Sequence, residues 1–284
     1  MGKKEEKINQ VFARGIKNFA KNWLPPIILS SLKKVTNKGI IWYGDFKSWE
    51  EAKRVSGGYE DKAILERVKE AAIRVKKGEA VYERDGVLFD KIEYSWPLLA
   101  GLLLASSINK GNLSVLDFGG SLGTTYFQNR KFLSLLPNLS WNIIEQPHFV
   151  KEGRNYFQDE KLHFYEDIET CIMKEQPTVL VLSGVLQCIE KPYELLENLL
   201  SYNFSIVIID RTSFHNKGYD RITIQKVPPS IYRASYPCYI FDKQKFLSFF
   251  NMKGYSLIEE FDAIDGEYDN INWKGFIYIG GNVK

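Results

Sequence analysis

The chain has 284 residues, 44% of them hydrophobic and 26% charged, with three cysteines. That is a globular composition, and it excludes a disordered chain, a collagen-like repeat and a disulfide scaffold. The net charge of +3 hides an asymmetry: residues 1–38 carry nine basic and two acidic side chains, a local +7 that leaves the remainder at −4.

In that arm Ile8, Val11, Phe12, Ile16, Phe19 and Trp23 recur at helical spacing, with Lys and Arg between them, up to Pro25-Pro26. A basic amphipathic helix of this kind suits an anionic membrane surface, and it suits packing on the body of the same chain equally well. The longest charge-free apolar run, Ser95 to Ile108, falls short of the about 20 residues that cross a bilayer. Cys171, Cys188 and Cys238 show no metal-ligand or C-x-x-C spacing, which points to a reducing compartment and to no metal. A cytoplasmic protein is the expectation, with residues 1–38 available for contact with the inner face of a membrane.

Residues 39–110 read as a mostly helical N-terminal extension. Ser48-Trp49-Glu50-Glu51 has capping-box spacing, so a helix is expected there, ending near Gly57-Gly58. Apolar residues at 64, 65, 68, 71, 72 and 75 predict a helix over Asp61–Lys77. Asp85-Gly86 centres a small hairpin within Val81–Phe89, and Pro97 opens a Leu-rich buried helix.

Over residues 111–284 the rhythm changes to strand, turn, helix. Apolar runs at Leu113–Leu116, Trp141–Ile144, Leu162–Phe164, Thr178–Leu182 and Ser205–Ile209 are the strands, the first four each followed by a helical stretch and the fifth by a loop. Asp242–Phe250 follows as a helix, then Ser256–Phe261 and Trp273–Ile279 as an antiparallel pair. The pattern predicts a Rossmann-like α/β fold: a seven-stranded, mostly parallel sheet with helices on both faces and its last two strands antiparallel. Residues 212–241 form a Tyr- and Arg-rich insertion, in which Tyr232, Arg233 and Tyr236 are candidates to face a sugar ring and suit a packed lid equally well.

The most informative stretch is Val115-Leu116-Asp117-Phe118-Gly119-Gly120-Ser121-Leu122-Gly123. A strand runs into an acid and then into glycines, which allow a tight turn and close backbone approach to a ligand. Phe118 occupies the place where a nicotinamide fingerprint needs its first glycine, and no Gly-Lys-Ser/Thr follows as in a P-loop. Glu145 closes the second strand, 22 positions beyond Gly123, where a carboxylate can accept from both ribose hydroxyls. Glu166-Asp167 follows the third strand. Acids at three successive strand ends fit a ligand with a nucleoside and an ammonium group, and none suits bound phosphates.

These residues resemble the class I S-adenosylmethionine-dependent methyltransferases. More narrowly, Trp42-Tyr43-Gly44-Asp45-Phe46-Lys47-Ser48-Trp49-Glu50-Glu51-Ala52, Gly58-Tyr59, the Val115–Gly123 motif and Val227-Pro228-Pro229-Ser230-Ile231-Tyr232 are similar to a methyltransferase family of bacterial surface-polysaccharide gene clusters. The resemblance implies S-adenosylmethionine as cofactor. Gly119, Gly120 and Gly123 would cradle its methionine part beside Asp117, Glu145 would bind ribose, Asp167 would face adenine, and Ser183-Gly184 would line the reactive end. Two departures stand out: the fourth strand begins without an acid, and Gln187-Cys188 stand where many small-molecule methyltransferases carry histidines.

The resemblance further implies O-methylation of a carbohydrate or lipid-linked surface glycan. For the base, His215 just past the fifth strand is the histidine best placed, and Asp210 at that strand's end either acts as base or orients it. A binding or scaffold protein that keeps the fold without the chemistry is the second reading, and a nicotinamide oxidoreductase, disfavoured by Phe118, is the third. The net −4 of the body argues against nucleic acid as partner.

Overall fold

The computed structural model describes residues 40–57, 62–228, 231, 234–268 and 271–281. The expectations for residues 1–38, and for Tyr232 and Arg233, lie outside the described residues.

The N-terminal extension opens with strand β1 (Ile41–Phe46) and helix α1 (Trp49–Arg54). Ser48 caps α1 by accepting from the Glu51 N–H, while the Glu51 carboxylate accepts from the Lys47 N–H, so the predicted capping pair starts the helix. Helix α2 (Lys62–Lys76) leads to the hairpin of β2 (Tyr82–Arg84) and β3 (Val87–Phe89). Asp85 and Gly86 at its turn both have positive φ, 53° and 74°, as a two-residue hairpin of this hand requires. Pro97 sits in the first turn of α3 (Trp96–Ile108), whose missing N–H costs nothing there.

The alternating part follows as β4 (Asn112–Phe118), α4 (Thr124–Leu133), β5 (Asn138–Ile144), α5 (Pro147–Tyr156), β6 (Leu162–Tyr165), α6 (Ile168–Glu175) and β7 (Val179–Ser183). A 3₁₀ turn (Leu186–Cys188), α7 (Pro192–Leu200), β8 (Ile206–His215), β9 (Arg221–Val227), β10 (Ala234–Asp242), α8 (Lys243–Met252), β11 (Tyr255–Tyr268) and β12 (Ile271–Gly280) complete it. Strands β6, β5, β4, β7 and β8 lie side by side in parallel. On the far side of β8, β12 pairs antiparallel with it and β11 antiparallel with β12. These seven strands make the expected Rossmann-like sheet, with the chain reversing direction across it between β4 and β7. Ligands of such sheets bind in the crevice outside the carboxyl ends of the strands at that switch point.

Alternation along each strand sends one set of side chains to each face. Val115, Val181 and Ile208 join α2, α3, α4 and α5 in one buried layer. Leu116, Leu182 and Ile209 join α6, α7 and α8 in the other. Trp141 in the first layer and Phe246 in the second are fully buried, each contributing about 1.5–3 kcal/mol of transfer free energy.

Two features differ from the sequence reading. Strand β8 does not stop at Ile209; Thr212, Ser213 and Phe214 continue pairing with β12 as far as Asn272. And Arg221–Val227 and Ala234–Asp242 are strands: β10 joins the end of β8 in parallel, β9 pairs with β10, and β1 pairs with β9. The alternating Ile222, Ile224 and Cys238, Ile240 of these strands are read as loop only if the partner β1, nearly 180 positions earlier in sequence, is left out.

Candidate active site

Glycine is required in the turn after β4 because side chains crowd it and the chain takes positive φ at Gly119 and Gly123. A Cβ on Gly119 would lie 2.4 Å from Val185 Cγ2, and its φ is +72°. A Cβ on Gly120 would lie 2.5 Å from Asp117 Oδ2. Gly123, at φ +99°, turns the chain into α4. The loop is fastened to the second strand by a Gly119 N–H bond to the Ile144 carbonyl at 2.9 Å.

Asp117 lies under this loop, 1% exposed, and accepts the Trp141 indole N–H at 3.0 Å. Burial pushes its carboxyl up to about 7, with the Trp141 bond opposing and Glu145 reinforcing the rise. Glu145 stands just past β5. One of its oxygens accepts from the Ser121 N–H at 3.2 Å and the other from the Gln146 N–H at 2.9 Å. Burial raises this carboxyl too, and the two backbone bonds hold the rise back. A carboxylate has about four acceptor positions, so about two remain for a ligand's hydroxyls. Asp167 caps α6, accepting from the Thr170 N–H at 2.7 Å, a bond that lowers its carboxyl below the ordinary value.

Ser183 ends β7 and pairs in register with Asp210 of β8, as Asp117 of β4 does with Val181. Parity along the strands puts Asp117, Ser183 and Asp210 on one face of the sheet, beyond Val115, Val181 and Ile208. Gly184, φ +73°, donates its N–H to the Asp210 carbonyl at 3.0 Å. Asp210 is 2% exposed, and burial pushes it up to about 7, opposed by the neighbouring Arg211 charge.

Five further residues belong to this edge that the sequence did not assign to the site: Arg211, Asp265, Asp85, Gln187 and Glu83. Asp210 and Arg211 face the single Gly275 of β12, a β-bulge in which Arg211 has φ +51°. A Cβ on Gly275 would fall 2.1 Å from Phe261 Cζ, so the bulge is built into the partner strand as well. The bulge aims the Arg211 guanidinium at Asp265 Oδ2 (2.9 Å from Nε) and at Asp85 Oδ2 (3.0 Å from Nη2). Gln187 Nε2 donates to the Gly184 and Arg211 carbonyls at 3.0 and 3.2 Å, which fixes which end of the amide is which and leaves Oε1 buried without a partner. Glu83 of β2 accepts from the Gly86 N–H and the Thr124 hydroxyl at the start of α4, and burial pushes it up to about 7. Asp85 lies in the β2–β3 turn, and Asp265, in β11, falls in a stretch whose sequence reads as turn-rich, where acids are expected for turn formation alone.

The structure does not bring His215 to Asp210. They are five residues apart on strand β8, with the bulge at 210–211 between them, about 16 Å at full strand extension. His215 pairs instead with Asp242 of β10 and is 4% exposed; its Nδ1 accepts from the Lys217 N–H at 3.0 Å. Tyr236 is 7% exposed and packs in the same buried layer as Val227 and Ala234.

Among the described residues no group of three or more His, Cys, Asp or Glu is arranged to hold a metal ion, and no helix is long and apolar enough to cross a membrane.

No protein-family model and no curated protein matches the chain. Among solved structures, it is similar to the N-terminal domain of EvdMO1 in the presence of SAH and D-fucose: 15% identity over 78% of this chain and 97% of that one, TM-score 0.44. It is also similar to the 1,6-didemethyltoxoflavin-N1-methyltransferase of Burkholderia thailandensis (12% identity, 87% and 97% covered, TM-score 0.42). A third is the magnesium protoporphyrin IX methyltransferase of Synechocystis PCC 6803 (11% identity, 79% and 99% covered, TM-score 0.42).

Proposed function

We propose that the chain is an S-adenosylmethionine-dependent methyltransferase that methylates a hydroxyl of a carbohydrate or lipid-linked surface glycan. The observation that carries this reading is the pairing of two acids with one glycine turn. Asp117 is buried beneath Gly120, and Glu145 is bonded to the Ser121 N–H of the same turn.

The residues present fit the cofactor. The turn has no Cβ at 119 or 120 to block a close ligand, a buried carboxyl poised near 7 suits an ammonium, and Glu145 keeps acceptor capacity for ribose hydroxyls. Asp167 would face adenine, and Ser183 and Gly184 would line the reacting end. When bound, the cofactor supplies an electrophilic methyl group and departs as a neutral thioether.

The chain's own part is to hold the acceptor hydroxyl and take its proton. Asp210 is the base in this reading: it sits on the Asp117 face, one strand past Ser183, with its carboxyl raised to about 7, close to the operating range of a general base. His215 is replaced in that role because its Nδ1 accepts from the Lys217 N–H, which leaves Nε2 as the nitrogen that carries the proton of the neutral ring. Residues 1–38, with their local +7, would draw the enzyme to an anionic membrane where lipid-linked acceptors reside.

Calorimetry with S-adenosylmethionine and S-adenosylhomocysteine tests the cofactor. Both are expected to bind, and Glu145→Ala to abolish binding; binding of NAD in their place sinks the reading. Mass spectrometry of surface glycan from cells with and without the gene tests the acceptor, the expected difference being one lost methyl group. Salt-sensitive binding to anionic vesicles that vanishes on deleting residues 1–38 tests the arm.

A further inference from the structure

Arg84 carries a buried guanidinium nitrogen, Nη1, with no hydrogen-bond partner. A buried donor left unpaired is costly, and such groups mark the place of something that pairs with them. The neighbouring carboxylates do not serve it. Asp265 spends both oxygens on Arg211, one on Nε and one on Nη2, and Asp85 bonds Nη2 of the same residue. Arg84 is left with the face of Phe89, 5.4 Å from its guanidinium carbon.

The two arginines belong to one cluster. Both act electrostatically on Tyr82 and on Asp265. Arg211 is held at φ +51° by bonds on every side: Asp210 Oδ1 on its N–H, Gln187 on its carbonyl, Asp265 and Asp85 on its side chain. A strained residue fixed this completely is a hallmark of ligand sites. Its Nη1 lies 3.6 Å from where a Gly184 Cβ would stand, at the end of β7. Of the two carboxylates on Arg211, Asp85 is the weaker held: it makes one contact and its side chain is 51% exposed, against 22% for Asp265.

We propose that Arg84 and Arg211 form an oxyanion subsite for the methyl acceptor, in which a carboxylate or phosphate group of the acceptor displaces Asp85 from Arg211 and pairs with Arg84. The proposal rests on the methyl-transfer reading for the word acceptor. It adds that the acceptor is an acidic sugar or a sugar phosphate, and that Asp85 fills the anion's place in its absence. A guanidinium with an unpartnered donor, Arg84, beside one that frees a donor when Asp85 leaves, Arg211, suits an oxyanion better than any neutral hydroxyl.

The test is thermal unfolding of the full chain with D-glucuronate, α-D-glucose 1-phosphate or D-glucose at constant ionic strength, with and without saturating S-adenosylhomocysteine. A ligand that binds only the folded chain raises the midpoint. One or both anionic sugars are expected to raise it and glucose is not, and which of them acts tells carboxylate from phosphate. Arg84→Gln should leave the unliganded midpoint unchanged or higher while weakening the anion about tenfold or more; Arg84→Lys should retain part of the affinity. Asp85→Asn should strengthen the anion about threefold or more, since it removes the competitor. An equal response to glucose, a response that survives Arg84→Gln, or its loss when S-adenosylhomocysteine is bound overturns the subsite. The affinity for S-adenosylhomocysteine itself, read by calorimetry, tests the methyl-transfer reading separately. If it fails to bind, the midpoints without it still decide whether an anion site exists.

Discussion

The Trp141 indole N–H donates to Asp117 Oδ2 across two neighbouring parallel strands, at 3.0 Å, with both residues buried. It is the bond that makes a carboxyl tolerable under the glycine turn, since burial alone pushes it towards the neutral form. A hydrogen bond to an ionised carboxylate contributes about 1.5–3 kcal/mol, and one to the neutral acid about 0.5–1.5 kcal/mol. Trp141→Phe should therefore destabilise the chain more at pH 8.5 than at pH 5, the packing loss being common to both. The difference between the two urea-unfolding measurements isolates the bond, and equal losses at both pH values would show that Asp117 does not ionise in the folded chain.

Gly119 tests the turn itself. A methyl there meets Val185 at 2.4 Å, and the residue keeps a left-handed φ whatever its neighbour does. Gly119→Ala should cost about 1–3 kcal/mol of stability and remove S-adenosylhomocysteine binding. Adding Val185→Ala should recover part of the stability, because it relieves the contact and not the backbone strain. Full recovery in the double variant would place the whole cost in the side-chain clash.

Asp167 has a visible structural task, capping α6, and a proposed one, facing adenine. Serine keeps the first and lacks the carboxylate of the second. Asp167→Ala should cost about 1 kcal/mol, Asp167→Ser much less. If the carboxylate meets the cofactor, both variants bind S-adenosylhomocysteine about tenfold more weakly; an Asp167→Ser variant with unchanged affinity leaves the residue a helix cap only.

What the sequence made legible followed from local pattern. The runs at Val115, Trp141, Phe164 and Val179 alternate with helical segments, and the capping residues Ser48 and Asp242 mark starts that the structure keeps. The glycine turn was readable because strand, acid and glycines are contiguous. The Arg211 cluster was not, because its members come from a hairpin at 82–89, a bulge at 210–211 and a turn-rich strand end at 265, brought together only by the fold. Nor was the course of the chain from Asp210 to His215 legible. With the strand read as ending at Ile209, the five residues to His215 pass for a loop able to fold back, whereas the pairing of Thr212, Ser213 and Phe214 with β12 keeps them in strand β8.

Asp210 and His215 are separated by experiment as well as by distance. Asp210→Asn keeps the shape and an oxygen to accept from the Arg211 N–H, yet it cannot take a proton. A lost general base lowers turnover by about 100-fold or more, with cofactor affinity unchanged. His215→Asn should leave turnover within about threefold. The reverse pattern, a silent Asp210→Asn and an inactive His215→Asn, would return the base to the histidine.

The buried acids also set a direction for stability against pH. Burial raises Glu83, Asp117 and Asp210 to about 7 in the folded chain, from ordinary values of 4.5 for Glu and 3.8 for Asp. Between those limits the folded chain binds more protons than the unfolded one, so each rise in pH favours unfolding. The stability these groups contribute is fully present below about pH 4, is lost as pH climbs to about 7, and levels off above that. Each unit of separation is worth about 1.4 kcal/mol per group, although the coupling of Asp117 to Glu145 makes the sum less than additive. Asp167 and Asp265, held below their ordinary values, contribute the opposite slope, confined to the acid side of about pH 4. Urea unfolding of the unliganded chain at pH 4.5, 6 and 8 should thus give falling stability, and Asp117→Asn, which removes one titrating group while keeping an acceptor for Trp141, should flatten the fall. A wild-type curve that rises from pH 5 to 8 would mean that these carboxyls are ionised and paired in the folded chain.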